Sequence, residues 1–249
     1  MAPPLVLITG GGRGIGAACA LLAGRRGYTV CINYLRDADA AMAVAGAIEQ
    51  AGGSAMAIQA DVAREAEVLR MFAEIDARFG RLDALVNNAA ILGKQMRVDQ
   101  MDVARIERIL ATNVTGSFLC AREAVRRMST AHGGNGGAIV NISSRAAVLG
   151  SAGEYVDYAA SKAAVDALTI GLSKEVAAEG IRVNGVRPGL IRTEMHASGG
   201  EPGRVERLQG SVPMGRGGLA EEVAEAVLWL LSAQASYTTG SFIDVSGGR

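Results

Sequence analysis

Aromatic side chains are scarce in this chain: Phe, Trp and Tyr make up 4% of its 249 residues, with a single Trp. Its core must therefore be aliphatic. The three cysteines, Cys19, Cys31 and Cys120, lack Cys-x-x-Cys spacing, so neither a disulfide framework nor a thiolate metal site is expected. They read as buried apolar residues of a reducing cytoplasm. The two histidines, His132 and His196, lie too far apart in sequence to read as a ligand pair, and no metal is expected. No apolar run is long enough to span a bilayer. A first strand at Leu5 leaves only four residues ahead of it, too few for a secretory signal. Neither sign of charge dominates: Lys plus Arg number 25 and Asp plus Glu 25. No global field then draws nucleic acid or membrane.

The chain has abundant apolar residues, 49%, arranged as short runs that alternate with helical stretches. That rhythm predicts an α/β fold: a Rossmann-like, doubly wound parallel sheet of about seven strands, covered on both faces. The expected strands are 5–9, 29–34, 55–60, 84–87, 138–143, 182–187 and 241–245. The clearest helices are 65–79 and 157–178. No linker or repeat divides the chain, so residues 1–249 are expected to form one catalytic domain. Two stretches break the rhythm. The glycine-rich 131–137 reads as a surface loop. The segment from about 194 to 218, with Gly199, Gly200, Pro202, Gly203, Pro213 and Gly215, is too long and broken for a plain connection and reads as a substrate lid.

Two motifs carry chemistry. Leu5-Val6-Leu7-Ile8 is followed by Thr9-Gly10-Gly11-Gly12-Arg13-Gly14-Ile15-Gly16 and then by a helical run. Strand, glycine turn and helix form the context of a dinucleotide site: glycines admit a pyrophosphate to the backbone, and the helix N-terminus offers free N–H groups. The spacing is Gly-x-x-x-Gly-x-Gly rather than the Gly-x-Gly-x-x-Gly fingerprint. Farther on, Tyr158 and Lys162 stand four apart in a run of helix formers and so share one helix face. A phenol titrates near ~10, too high for efficient proton exchange at neutral pH. A neighbouring ammonium is expected to lower that value.

With Asp61-Val62, Asn87-Asn88-Ala89-Ala90, Asn113, Ser143-Ser144 and Pro188-Gly189 ahead of Thr193 occurring in order between and after these motifs, the chain resembles the short-chain dehydrogenase/reductase family over its whole length, in particular the 3-oxoacyl reductase and glucose dehydrogenase-like branch. The resemblance implies hydride transfer between a nicotinamide dinucleotide and a carbonyl or secondary alcohol. It implies Tyr158 as acid and base and Lys162 as its electrostatic partner and ribose ligand. Ser144 would polarise the substrate oxygen, and Asn113 would hold a water that links Lys162 to solvent. It further implies cofactor contacts from Gly10, Arg13, Gly14, Ile15, Gly16, Asp61, Val62, Asn88, Ala89, Pro188, Gly189, Ile191 and Thr193. Ala90 replaces the family's usual glycine, so a slightly different local turn is expected.

The second strand ends Ile32-Asn33-Tyr34-Leu35-Arg36, with no acid until Asp37. An acid there would repel a 2′-phosphate, whereas Arg13 and Arg36 are suited to grip one. NADP is therefore expected, although both arginines also read as ordinary solvated charges. NAD stays open because Asn33 suits a ribose hydroxyl. The competing functional reading is a dinucleotide-binding regulator without turnover. All four catalytic positions are filled, which argues against it. Helix 157–178 carries Val165, Leu168, Leu172 and Val176 on one face and Ala163, Ala167, Ile170 and Ala177 elsewhere. A helix apolar on both sides is usually buried on both, and the resemblance supplies the second cover, another subunit in a homodimer or homotetramer.

Overall fold

Successive residues of the first strand face opposite layers. Leu5 and Leu7 enter one apolar core, Val6 and Ile8 the other, and none is more than 1% exposed. A strand apolar at every position can be satisfied only inside a sheet covered on both sides.

The computed structural model describes residues 3–249. The seven strands are β1 (Leu5–Ile8), β2 (Thr29–Tyr34), β3 (Ser54–Gln59), β4 (Ala84–Asn87), β5 (Gly137–Ile142), β6 (Ile181–Pro188) and β7 (Phe242–Val245). They form one parallel sheet in the order β3-β2-β1-β4-β5-β6-β7. The expected strands and the doubly wound class are all present, with no strand end shifted by more than one residue. Strand order reverses between β1 and β4, and the crevice outside their carboxyl ends is where open α/β sheets bind ligands.

The helices in chain order are α1 (Gly14–Arg25), α2 (Ala38–Gln50), α3 (Glu65–Phe79), α4 (Val103–Leu110), α5 (Gly116–Met128), α6 (Ala146–Leu149), α7 (Val156–Val176), α8 (Met195–Ser198), α9 (Arg204–Leu208) and α10 (Ala220–Leu231). Helices α1, α2 and α10 cover one face around Val6, Ile8, Val30 and Val140. The other face, around Leu5, Leu7, Leu85 and Ile139, is covered by α3, α5 and the end of α7. Helix α3 shows why such segments fold: Val68, Met71, Phe72 and Ile75 bury one stripe, acids occupy the first turn, and Gly80 at φ 65° ends it. The cysteines lie inside these cores, where burial pushes all three thiols up to about 12. Among the described residues no helix is long and apolar enough to cross a membrane.

Helix α7 divides as its sequence predicts. Val165, Leu168 and Val176 are buried and Leu172 is half-buried, while Ala163, Ala167, Ile170 and Ala177 are exposed. The 194–218 segment contains α8, α9 and the short turn Gln209–Ser211. Both of its ends are tied together: Ile191 bridges Gly218, Arg192 N donates to Gly218 O at 2.9 Å, and Gly218 N donates to Leu190 O at 2.9 Å. Its Val205 and Val212 pack with Leu190 in a small core of their own, with Leu208 against them.

Candidate active site

Strand β5 delivers its last carbonyl, Ile142 O, to the carboxyl edge of the sheet, and two serines follow. Ser143 is buried and its Oγ donates to Lys162 O at 3.2 Å, so it holds β5 to α7. Ser144 Oγ accepts from Ala146 N at 3.0 Å, which turns the chain into α6. Helix α7 presents Tyr158 and Lys162 on one face, with the Lys162 Nζ 5.8 Å from the centre of the Tyr158 ring. The Lys162 Nζ donates to Ile142 O at 2.7 Å. The Ser144 hydroxyl lies close enough to the Tyr158 phenol to favour its ionised form. Tyr158 and Lys162 of α7 thus meet Ser144, from the turn after β5, at one corner.

Burial governs the charges of this corner. It pushes the Tyr158 phenol up to about 12, with the Ser144 hydrogen bond pulling the other way. It pulls the Lys162 ammonium down to about 8, with Asp166 opposing. The phenol thus lies above its ordinary value and not below it, because burial disfavours the charged form, while the Lys162 ammonium is engaged by a strand-end carbonyl.

Asn113 is fully buried in a π-helical turn, Ala111–Thr115, between α4 and α5. Such turns recur at functional sites because they redirect a side chain. Its Oδ1 accepts from Ile91 N at 2.8 Å, and its Nδ2 donates to Ile91 O at 3.1 Å and to Ser161 Oγ at 3.0 Å. It stitches the segment after β4 to the helix that bears Tyr158.

The glycine turn fits a dinucleotide. Gly10 and Gly14 have φ of 61° and 53°, which side-chain-bearing residues rarely adopt. A Cβ on Gly16 would meet Gly10 O at 2.3 Å, so helix and turn close only because none is there. Arg13 precedes α1 without a side-chain cap, and no acid lies in the first turn. The N–H groups of the α1 N-terminus, with their partial positive charge, are thus unclaimed by any side-chain cap, which suits an anion. Across the crevice, a Cβ on Gly14 would lie 3.4 Å from Thr193 Cγ2. The loop after β6 therefore faces the turn, with Gly189 packed so tightly on Ser246 that a Cβ would come within 2.7 Å of its Cα. Pro188 closes β6.

At the adenosine end one expectation is corrected. Asn33 is buried, its Oδ1 accepts from Gly10 N at 3.2 Å, and its Nδ2 donates to Ala60 O at 3.0 Å. Its amide is turned inward to brace the glycine turn and does not present itself to a ribose. Asp37 caps α2 by accepting from Ala40 N at 3.0 Å. Arg13 and Arg36 are exposed. Asp61 accepts from Ala63 N at 3.0 Å in a turn and is not the cap of α3, whose N-cap position is Arg64. Val62 packs against Gly116. Asn88 Nδ2 donates to Thr9 O and Gly10 O at 2.9 and 3.0 Å, and Ala89 N to Thr9 Oγ1 at 3.0 Å. Among the described residues only Ser151 has a positive φ without being glycine, so Ala90 carries no strain.

At the nicotinamide end His196 Nε2 donates to Ile191 O at 2.9 Å, which occupies that carbonyl. Arg204 and Arg207 of the 194–218 segment are paired with acids. Arg204 bonds Glu154 at 2.5 Å and Glu201 at 2.9 Å and stacks on Tyr155, while Arg207 pairs with both acids. Sequence reading missed this network and a second pair, Arg105 with Asp157. Nothing in the spacing reveals Glu154 as partner of Arg204 and Arg207, or Asp157 as partner of Arg105, because these pairs join residues distant in the chain.

A family model described as enoyl-(acyl carrier protein) reductase matches residues 10–249. The Escherichia coli (strain K12) protein called uncharacterized oxidoreductase YgfF is 61% identical over 98% of this chain and 99% of its own. A Staphylococcus aureus (strain Mu50) 3-oxoacyl-[acyl-carrier-protein] reductase, FabG, is 37% identical over 97% and 96%. A short-chain dehydrogenase from Burkholderia cenocepacia J2315, solved in complex with NADP, superposes with a TM-score of 0.90 at 32% identity over 98% and 97%. A glycine turn at the sheet's reversal point, a Tyr-Lys pair beside a strand-end serine and these full-length likenesses agree: the chain belongs to the short-chain dehydrogenase/reductase family and is an NAD(P)-dependent oxidoreductase.

Proposed function

We propose that this enzyme moves a hydride between NADP(H) and a small-molecule carbonyl or secondary alcohol, with Tyr158 as the proton donor and acceptor. The observation that carries the reading is the Tyr158 phenol beside Ser144, with Lys162 on the same helix face, at the carboxyl end of β5. When bound, the dinucleotide supplies the hydride in reduction and receives it in oxidation. Tyr158, with its phenol near 12, is protonated at neutral pH and holds a proton for a carbonyl oxygen. Ser144 Oγ donates to the same oxygen as charge develops there. Lys162, near 8, is mostly charged at neutral pH, stabilises the phenolate left behind and bonds the nicotinamide ribose. Asn113 anchors the water relay that restores the proton.

Preference for NADP rests on Arg13 and Arg36, exposed beside the glycine turn, and on Asp37, whose carboxylate is occupied as a helix cap. The remaining cofactor contacts are Gly10, Gly14, Ile15, Gly16, Asp61, Val62, Asn88, Ala89, Pro188, Gly189, Ile191 and Thr193. Residues 194–218 act as the lid of the single domain. The exposed apolar side of α7, with Ala167 and Gly171, forms a groove with Phe118 of α5, and it is covered by a second copy in a homodimer or homotetramer. Light scattering at micromolar concentration is expected to show an oligomer; a monomer would refute that assembly. The three buried cysteines suit a reducing cytoplasm.

The test is a panel of 3-oxoacyl thioesters, sugars and xenobiotic ketones followed at the nicotinamide absorbance, run on the parent and on Tyr158→Phe. Turnover of the variant should fall by roughly 10²-fold or more, with cofactor affinity nearly unchanged. A well-folded variant that keeps its turnover contradicts the assignment.

A further inference from the structure

The residue directly ahead of Tyr158 is held by a buried charge. Asp157 lies in the first turn of α7, and its side chain is 4% exposed. Arg105 on α4, at 8%, meets it with two bonds: Nε to Oδ2 at 2.7 Å and Nη2 to Oδ1 at 3.3 Å. A third bond runs from Arg105 Nη1 to Lys94 O at 2.6 Å. The guanidinium lies so close over Gly93 that a Cβ there would come within 2.7 Å of its Cζ. Asp157 Oδ1 also accepts the backbone N–H of Tyr158 at 2.9 Å.

The same turn is held a second time. Ser161 Oγ donates to Tyr158 O at 2.7 Å and receives Asn113 Nδ2 at 3.0 Å. Both backbone groups of Tyr158 are thus engaged by side chains that lead back to one segment, 105–113. A buried ion pair is a poor device for stability, because desolvation offsets most of its attraction and apolar replacements are often neutral or better. It is a good device for fixing a position, since a fork-on-carboxylate geometry tolerates little displacement.

We propose that Arg105 is a positioning residue for proton transfer. Acting through Asp157, it sets the depth and direction of the first turn of α7, so that the Tyr158 hydroxyl stays on Ser144 and above Lys162. It touches neither substrate nor cofactor. The inference rests on the reading of Tyr158 as the proton-transfer group.

The test uses the full-length enzyme in three forms: Arg105→Met, Arg105→Lys and the double variant Arg105→Met with Asp157→Leu. Turnover is measured with the fastest ketone of the panel, NADPH affinity by its fluorescence, and backbone mobility by amide exchange over 156–161. Small misplacements at a reacting centre lose about 10²-fold in rate, so kcat of Arg105→Met should fall by roughly 10- to 100-fold while KM and the NADPH Kd stay within about twofold. Exchange at Tyr158 should quicken. Arg105→Lys should recover part of kcat. The double variant leaves no unpaired charge and should fold normally, yet remain slow. A double variant, or a folded Arg105→Met, with kcat near the parent's overturns the proposal. So does loss of NADPH affinity in step with kcat. Should Arg105→Met fail to fold, the double variant and Arg105→Lys decide. An active Tyr158→Phe ends the reading of the tyrosine, whereas an inactive Tyr158→Phe beside a fully active double variant ends this inference alone.

Discussion

The corner around Tyr158 and the segment over residues 194–218 both border the crevice, yet they are built by opposite means. The corner stands on a long helix and a central strand, and its side chains are buried and spent on backbone groups: Lys162 on Ile142 O, Ser143 on Lys162 O, Asn113 on Ile91. The 194–218 segment, proposed as a lid, has short helices, a small apolar core of three buried residues shared with Leu190 and a latch of charged pairs. Glu154, Glu201 and Gln95, with Arg204 and Arg207, tie it to the loops before α7 and after β4. Buried hydrogen bonds fix geometry at low mobility, whereas the latch is mixed, with Arg204 buried and Arg207 exposed, and its solvated pairs open at less cost. Chemistry needs the first kind of construction and substrate passage the second.

Changes in the corner should act on rate, and the largest is expected from Lys162→Met. It removes the charge that stabilises the phenolate and a ribose contact together, so kcat and NADPH affinity should both fall, kcat by roughly 10²-fold or more. A pH profile sharpens the point. Burial depresses the Lys162 pKa from 10.5 to about 8, so its charge is present below pH 8 and lost above. Carbonyl reduction should therefore decline as pH rises through about 8, well below the phenol near 12. The stability sign is the reverse. The folded state binds fewer protons than the unfolded chain between the two lysine values, so stability rises with pH across that window and Lys162→Met abolishes the rise.

A smaller effect is expected at the far end of the crevice, where affinity alone should change. Arg13→Ala removes a charge-assisted contact worth about 1.5–3 kcal/mol, so NADP should bind roughly 10- to 100-fold more weakly and NAD nearly as before. Equal parent affinities for both cofactors, measured by fluorescence titration, would break the 2′-phosphate reading.

The smallest effect on rate is expected in the lid. Arg204→Met unlatches Glu154 and Glu201, and amide exchange over 194–212 should quicken while the corner stays protected. In the parent, cofactor with a substrate analogue should slow that exchange. Unchanged protection on ternary-complex formation would mean that the segment is no gate and that the two regions do not differ as described.

The strands were legible because each is a short, continuous apolar run, and a parallel sheet buried on both faces leaves no other place for it. The glycine turn was legible because Gly10 and Gly14 need backbone conformations that other residues avoid. The Tyr158–Lys162 pair followed from helical periodicity, since residues four apart share a face wherever the helix lies. What resisted reading were contacts between residues distant in the chain. Asn33 was read as a ribose ligand because its strand points that way; the packing of β2 against β1 and β3 turned its amide onto Gly10 and Ala60. The pairing of Arg204 and Arg207 with Glu154 was not legible because Glu154 lies fifty residues upstream of Arg204. The sequence by itself determined the layered sheet, the phosphate cradle and the one-faced Tyr-Lys pair, all set by local backbone preference and the period of apolar residues. Only the tertiary structure decided which charges are spent, which way Asn33 faces and that burial raises the Tyr158 pKa. Those depend on desolvation and on partners that folding alone brings together.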